Sequence, residues 1–175
     1  NRTYCSLHCQ VIDLVNNSLT SRLLICIPIL FGSFFNYSQP APIHFKGDQT
    51  SLKGEWNLVM NDFLSLDEVK KSTESVSIEV PGTWNDIDWK RKIIGSFGYG
   101  TYFREVVIDN NSSSANLSIE VPEVSIAYQL YANDQLLGNV GKPGKSKSET
   151  IPKIDFKVFD FKANPGDTVT LIFHI

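Results

Sequence analysis

Short runs in which apolar and polar residues alternate strictly, each closed by proline, glycine or asparagine, recur through most of this chain. Val76, Ile78 and Val80 alternate with Ser75, Ser77 and Glu79, and Pro81-Gly82 ends the run. Leu117, Ile119 and Val121 alternate with Ser118 and Glu120, and Pro122 ends that one. In Glu55 to Met60 the residues Trp56, Leu58 and Met60 share a face. A period of two marks a strand with one face buried and the other wet. Proline and glycine stop such strands, because proline has no N–H to donate and glycine readily leaves the extended region. Many short strands with turn signals between them predict an all-β fold, an antiparallel β-sandwich or jelly roll. Trp56, Val76, Ile78, Val80, Leu117, Ile119 and Leu130 are its expected inter-sheet residues.

The remaining elements follow in order from Ile43. Leu64 to Lys71 predicts one weak helical turn, with Asp67 and Glu68 suited to its start. Thr101 to Ile108 is a strand, and the polar cluster Asp109 to Ser114 is expected to turn it into an antiparallel partner. Asn133-Asp134-Gln135 lies between Ile126–Ala132 and Leu136–Val140 as a hairpin signal. Gly141-Lys-Pro-Gly-Lys-Ser146 reads as a flexible basic loop. Phe156, Val158 and Asp160 share one face of the next strand. Asn164-Pro-Gly-Asp167 is a strong turn, and Thr168 to Ile175 begins a strand cut short by the end of the sequence.

Ahead of the β region the character changes. Residues 1–20 carry no sustained pattern and read as an upstream, non-domain segment. Residues 21–39 hold Arg22 and then the apolar run Leu23 to Phe35, broken by Pro28 and Gly32. A positive residue followed by a short apolar stretch is the layout of a signal peptide, with an uncleaved N-terminal anchor as the alternative. All three cysteines, Cys5, Cys9 and Cys26, precede residue 43. The jelly-roll domain, 43–175, therefore has no disulfide framework, and it reads as truncated at its C-terminal end. Cys5-x-x-His8-Cys9 lacks the second half of a zinc pattern, so no metal and no cofactor are expected.

The stretch from Val80 to Ile108 gathers the aromatics. Val80-Pro-Gly-Thr-Trp-Asn-Asp86 is followed, after a loop bearing Trp89 and Phe97, by Gly98-Tyr-Gly-Thr-Tyr-Phe-Arg104. Gly98 and Gly100 flank Tyr99 and are expected to let the backbone turn tightly. This pair of motifs resembles the sugar-binding jelly-roll domain at the front of family 2 glycoside hydrolases. It is still more similar to the extracellular jelly rolls of bacterial seven-transmembrane receptors with diverse intracellular signalling modules. Leu52-Lys-Gly-Glu-Trp56, Ala127-Tyr-Gln-Leu-Tyr-Ala-Asn-Asp-Gln-Leu-Leu137 and Gly141 to Ser146 extend the second likeness to about residues 52–175. Asp134 departs from it, since these domains usually carry glycine at that turn. The resemblance implies a galactose-binding-domain-like jelly roll that is itself non-catalytic. It further implies an exported sensor on the periplasmic or extracellular face, tethered through transmembrane and signalling parts of the same parent chain. The alternative it implies is the sugar-binding accessory domain of a secreted glycoside hydrolase.

Catalytic signals are absent from the residues themselves. There is no Gly-x-Ser-x-Gly elbow, Walker loop or His-Glu-x-x-His. His44 and His174 read as strand or strand-flank residues, and Arg104 as an ion-pair partner or solvent-facing group. A net charge of −3 and the lack of a basic stripe argue against a nucleic-acid partner. Binding chemistry remains. Trp84, Trp89 and Tyr99 stand beside Asn85, Asp86 and Asp88, the mixture of flat apolar faces and hydroxyl-forking polar groups that a carbohydrate or similar small polar ligand needs. For Trp84 the competing reading is a plug at the end of the sandwich, and Trp89 and Tyr99 are the better ligand candidates. The loop from Gly138 to Ser146 is expected at the same end.

Overall fold

A computed structural model of the chain describes residues 39–47, 49–84, 87–90, 92–93, 97–112, 116–123 and 126–175, with backbone alone at Asp88, Lys92 and Ile93. The expectations placed on 1–20 and on the apolar run lie outside these residues. The alternating runs become strands: β1 (Ile43–Phe45), β2 (Gly54–Met60), β3 (Val76–Val80), β4 (Asp88–Trp89), β5 (Lys92–Ile93) and β6 (Gly100–Ile108). They continue as β7 (Asn116–Val121), β8 (Tyr128–Ala132), β9 (Gln135–Val140), β10 (Lys157–Lys162) and β11 (Thr168–His174), with one short helix, α1 (Leu66–Lys71). The larger sheet runs β3-β2-β6-β11-β8-β9, every neighbour antiparallel. β1 joins it parallel to β6, pairing Ile43 with Val106 and Phe45 with Ile108. β7 and β10 form the second, antiparallel layer. The fold is an antiparallel β-sandwich.

The period of two decides which face meets which layer. Trp56, Leu58 and Met60 of β2, Val106 and Ile108 of β6, and Leu171 of β11 point between the sheets. They meet Leu117, Ile119 and Val121 of β7 and Phe159 and Phe161 of β10. Each such side chain contributes about 1.5–3 kcal/mol by leaving water. Five of the expected inter-sheet residues, Trp56, Ile78, Leu117, Ile119 and Leu130, are buried, whereas Val76 and Val80 are half-buried against the same core. Both lie in β3, at the edge of the sheet, where among the described residues one flank has no neighbouring strand.

The opposite face of the larger sheet has its own smaller core. Val59, Phe103 and Ile172 are covered there by Leu64, Leu66 and Val69 of the helical segment. A helix of one or two turns is marginal alone. Here burial of Leu66 and Val69 holds it, with Asp67 and Glu68 in the first turn and Lys70 and Lys71 in the last complementing its dipole. The Glu68 carboxylate accepts from the Ser65 backbone N–H and hydroxyl, each at 2.8 Å, and these bonds hold its pKa below the usual carboxylate range.

The turns follow their residues with some exceptions. Asn133, at φ 53, and Asp134 close the β8–β9 hairpin. In Asn164-Pro-Gly-Asp167 the left-handed position falls on Gly166, φ 89, and the Asp167 N–H donates to the Asn164 carbonyl at 3.0 Å. The 109–114 cluster does not close a hairpin: β6 pairs with β1, β2 and β11, and β7 pairs with β10, so the chain crosses between layers there. Phe156, just before β10, and Val158 on it are both exposed, so the face they were expected to share is the outer one, while Phe159 and Phe161 turn inward. Arg104 forms no ion pair among the described residues. It faces the interior beside Leu171, its guanidinium donates to the Ala41 carbonyl at 3.2 Å, and burial lowers its pKa.

Candidate binding surface

At one end of the larger sheet, β2 stops at Met60, β6 starts at Gly100 and β11 stops at His174. The chain leaves β2 through Asn61, whose φ of 64 suits asparagine, and the Asn61 N–H donates to the Tyr99 carbonyl at 2.9 Å. This lays Asp62 to Ser65 across the outer face. The fully buried Thr101 hydroxyl pins the segment, donating to the Asp62 carbonyl at 2.8 Å and accepting from the Leu64 N–H at 2.9 Å. Phe63 then stacks on His174 with centroids 5.0 Å apart, and Tyr99 meets Phe63 edge-on at 5.4 Å. Tyr131 meets His174 at a tilt, with centroids 4.9 Å apart.

His174 is half-buried in this cluster. Burial lowers its pKa, outweighing the opposing effects of the hydrogen bond to the Leu64 carbonyl, 2.9 Å from Nε2, and of nearby Asp62. It serves as a structural member of the cluster, in keeping with its reading as a strand residue.

The loop after β9 arrives at the same end. Lys145 Nζ lies 3.3 Å from Asp62 Oδ1 and 5.9 Å from the Phe63 ring centre, and Lys147 Nζ lies 5.3 Å from that of Phe97. Phe97 is 78% exposed. The loop, read from its composition as flexible, is cross-linked. Lys142 and Ile151 exchange backbone hydrogen bonds of 2.8 Å, Glu149 accepts from the Lys145 N–H at 3.0 Å, and the Thr150 hydroxyl donates to the Ser146 carbonyl at 2.9 Å. These bonds hold the two lysines over the aromatic rings.

Of the residues singled out in the sequence, Tyr99 joins this cluster. Trp84 stacks instead on Tyr102 at 6.3 Å, half-buried against the inter-sheet core and beside Gly98. Trp89 is half-buried against both cores, with Lys90 Nζ 5.5 Å from its ring. Asn85, Asp86 and the Asp88 side chain lie outside the described residues. Phe63, Tyr131, His174 and Lys145 were missed. No local pattern joins them, since His174 and Leu64 are 110 positions apart.

Gly98 and Gly100 do not take left-handed backbone. Gly100 is required instead by a close approach, a Cβ there falling 2.6 Å from the Val59 carbonyl oxygen of β2. Among the described residues no group of three His, Cys, Asp or Glu side chains is placed to hold a metal ion, and no helix is long and apolar enough to cross a membrane.

No family model matches the chain, and no curated protein does. Among solved structures it is similar to a β-glucuronidase from Faecalibacterium prausnitzii, with a TM-score of 0.52 at 20% identity over 71% of this chain and 20% of that one. A β-glucuronidase from Ruminococcus gnavus gives 0.49 at 19% identity, covering 77% of this chain and 22% of that one. One from Dictyoglomus thermophilum gives 0.47 at 14%, covering 76% and 21%. The chain spans about a fifth of the length of these proteins. The first likeness is one of fold: this β-sandwich also occurs as part of a β-glucuronidase.

Proposed function

We propose that this chain is a non-catalytic recognition domain of a larger exported protein, and that it binds a carbohydrate or similar small polar ligand. The observation that carries this is the sheet end bearing Phe63, Phe97 and Tyr99, where Phe97 is 78% exposed, Lys145 stands over Phe63, Lys147 over Phe97, and Asp62 pairs with Lys145. An open aromatic face stacks on the apolar face of a pyranose, and fixed charges around it bind hydroxyls. Fold kinship with part of a sugar-processing enzyme supports the reading, and so does the motif resemblance to sugar-binding jelly rolls.

Two parents fit such a domain. Kinship with a fifth of a β-glucuronidase favours an accessory domain of a secreted glycoside hydrolase. The ordered motifs Leu52 to Trp56, Ala127 to Leu137 and Gly141 to Ser146 favour the sensor of a membrane receptor. The parent gene separates them: apolar spans of about 20 residues mark a receptor, and alternating strand and helix patterns mark a barrel enzyme.

Binding is tested by screening the labelled full chain on a glycan array, followed by calorimetry with the best saccharide. Tyr99→Ala and Trp89→Ala should each weaken binding by roughly 1–3 kcal/mol without loss of fold. Trp84→Ala should act on stability instead. Absence of any saccharide binding, or unchanged affinity in both the Tyr99 and Trp89 variants, sinks the proposal.

A further inference from the structure

On the outer face of the larger sheet a cavity of about 270 Å³ lies between the segment leading into α1 and the β8–β9 turn. Phe63 and Glu68 line it from the first, and Tyr131, Asn133 and Asp134 from the second. Ile172 and His174 of β11 line it at the sheet surface, where Tyr131 is the β8 neighbour of Ile172. The Phe63, His174 and Tyr131 rings form a continuous aromatic lining, His174 lying 5.0 Å from the first and 4.9 Å from the last. Phe63 belongs equally to the aromatic sheet end, so the cavity adjoins it. Drug-sized ligands occupy pockets of about 300–1,000 Å³, so this one has room for a single sugar ring.

The polar groups around those rings specify the ligand. The bonds from the Ser65 N–H and hydroxyl both end on Glu68 Oε2, which fixes the carboxylate and leaves Oε1 to accept. The exposed Asp134 carboxylate has no hydrogen bond or ion pair among the described residues. Asn133 Oδ1 accepts from the Thr170 N–H at 2.9 Å, and this turns the amide so that Nδ2 remains to donate. Acceptors therefore outnumber donors, an arrangement that sugar hydroxyls satisfy because each can donate and accept. A carboxylate or sulfate on the ligand would instead face two like charges, which is costly. The ammonium beside Phe63, that of Lys145, is already paired with Asp62 at 3.3 Å.

We propose that this cavity seats one uncharged pyranose, free or at the end of a glycan, and discriminates against uronic and sulfated sugars. The inference rests on the recognition function proposed above and adds to it a place and a ligand class. The apolar face of the ring lies against the aromatic lining. Its hydroxyls donate to Glu68 Oε1 and to the Asp134 carboxylate, and Asn133 Nδ2 donates to a hydroxyl oxygen. Asp134 is thus the residue that sets the charge preference, and it is the cleanest to change, being exposed in a turn that asparagine also suits.

The test uses the full chain and the methyl glycosides of glucose, galactose and mannose in both anomers, each with its uronic acid counterpart. Affinities are read by ligand-observed NMR titration. At least one uncharged glycoside should bind, and its uronide should bind roughly tenfold more weakly or worse. Asp134→Asn should lower affinity for the uncharged glycoside by about fivefold or more, with an unchanged melting temperature. The same variant should narrow the gap between the glycoside and its uronide. A uronide that binds as well as the uncharged sugar would overturn the proposal. Binding that is lost in Tyr99→Ala but untouched in Asp134→Asn would overturn this site and leave the recognition function standing. Array binding of longer glycans with no methyl glycoside bound would do the same, whereas failure to bind any saccharide would remove both.

Discussion

Gly98 and Gly100 flank the same tyrosine, yet replacing each with alanine should have different consequences. At Gly100 the new Cβ falls 2.6 Å from the Val59 carbonyl oxygen, 3.2 Å from Leu58 Cδ1 and 3.4 Å from the Met60 Cα. The first of these is backbone of the adjacent strand, and it cannot rotate away. Gly100 also exchanges backbone hydrogen bonds of 3.0 Å with Ile175, so moving β6 off β2 strains the β11 side as well. Overpacking of this kind costs about 1–3 kcal/mol or more. Against it stands a gain of about 0.4–1 kcal/mol from the less flexible unfolded chain. The net expectation is a loss of roughly 1–2 kcal/mol. At Gly98 the nearest atom is Met60 Cε at 2.9 Å, the far end of a flexible side chain that can swing aside. There the unfolded-state gain should cancel the adjustment, leaving a change within about 0.5 kcal/mol. Urea denaturation of the full chain and both variants, followed by tryptophan fluorescence, reads the difference directly. A Gly100→Ala protein as stable as the parent, or a Gly98→Ala protein that is the less stable of the two, would refute the close-approach argument.

Two further outcomes follow from the burial pattern. Phe159→Ala should cost about 3–5 kcal/mol, because Phe159 is 7% exposed between the sheets, whereas Val158→Ala on the 47% exposed outer face should stay within about 0.5 kcal/mol; parity between the two in thermal or urea melts would show that β10 is turned the other way. Burial lowers the folded-state pKa of His174 below its ordinary value near 6.5, so the unfolded chain binds the proton more readily. The stability this group contributes is thus complete above the unfolded pKa and is lost as pH falls through the folded one. Acidification from neutrality should destabilise the parent more than His174→Phe, and equal acid sensitivity of the two proteins would rule that linkage out.

The alternation along Ser75 to Val80, Glu55 to Met60 and Leu117 to Val121 was enough to specify strands and the sandwich class, but not that Asn57 and Val59, on the other face of β2, are buried as well. A period of two is a local property, readable without knowing any partner. The Asn133-Asp134 and Asn164-Pro-Gly-Asp167 turns were legible for the same reason, their φ demands being written in the residues that meet them. Pairing was not local. Asp109 to Ser114 has the composition of a hairpin turn, but the strands it joins find their partners in different layers. On β10 both faces carry apolar side chains, so alternation alone left open which face turns inward, and packing of Phe159 and Phe161 against the core decided it. The cluster of Phe63, Tyr99, Tyr131 and His174 draws on four separate segments, and only the antiparallel register of β6, β8 and β11 brings their ends together.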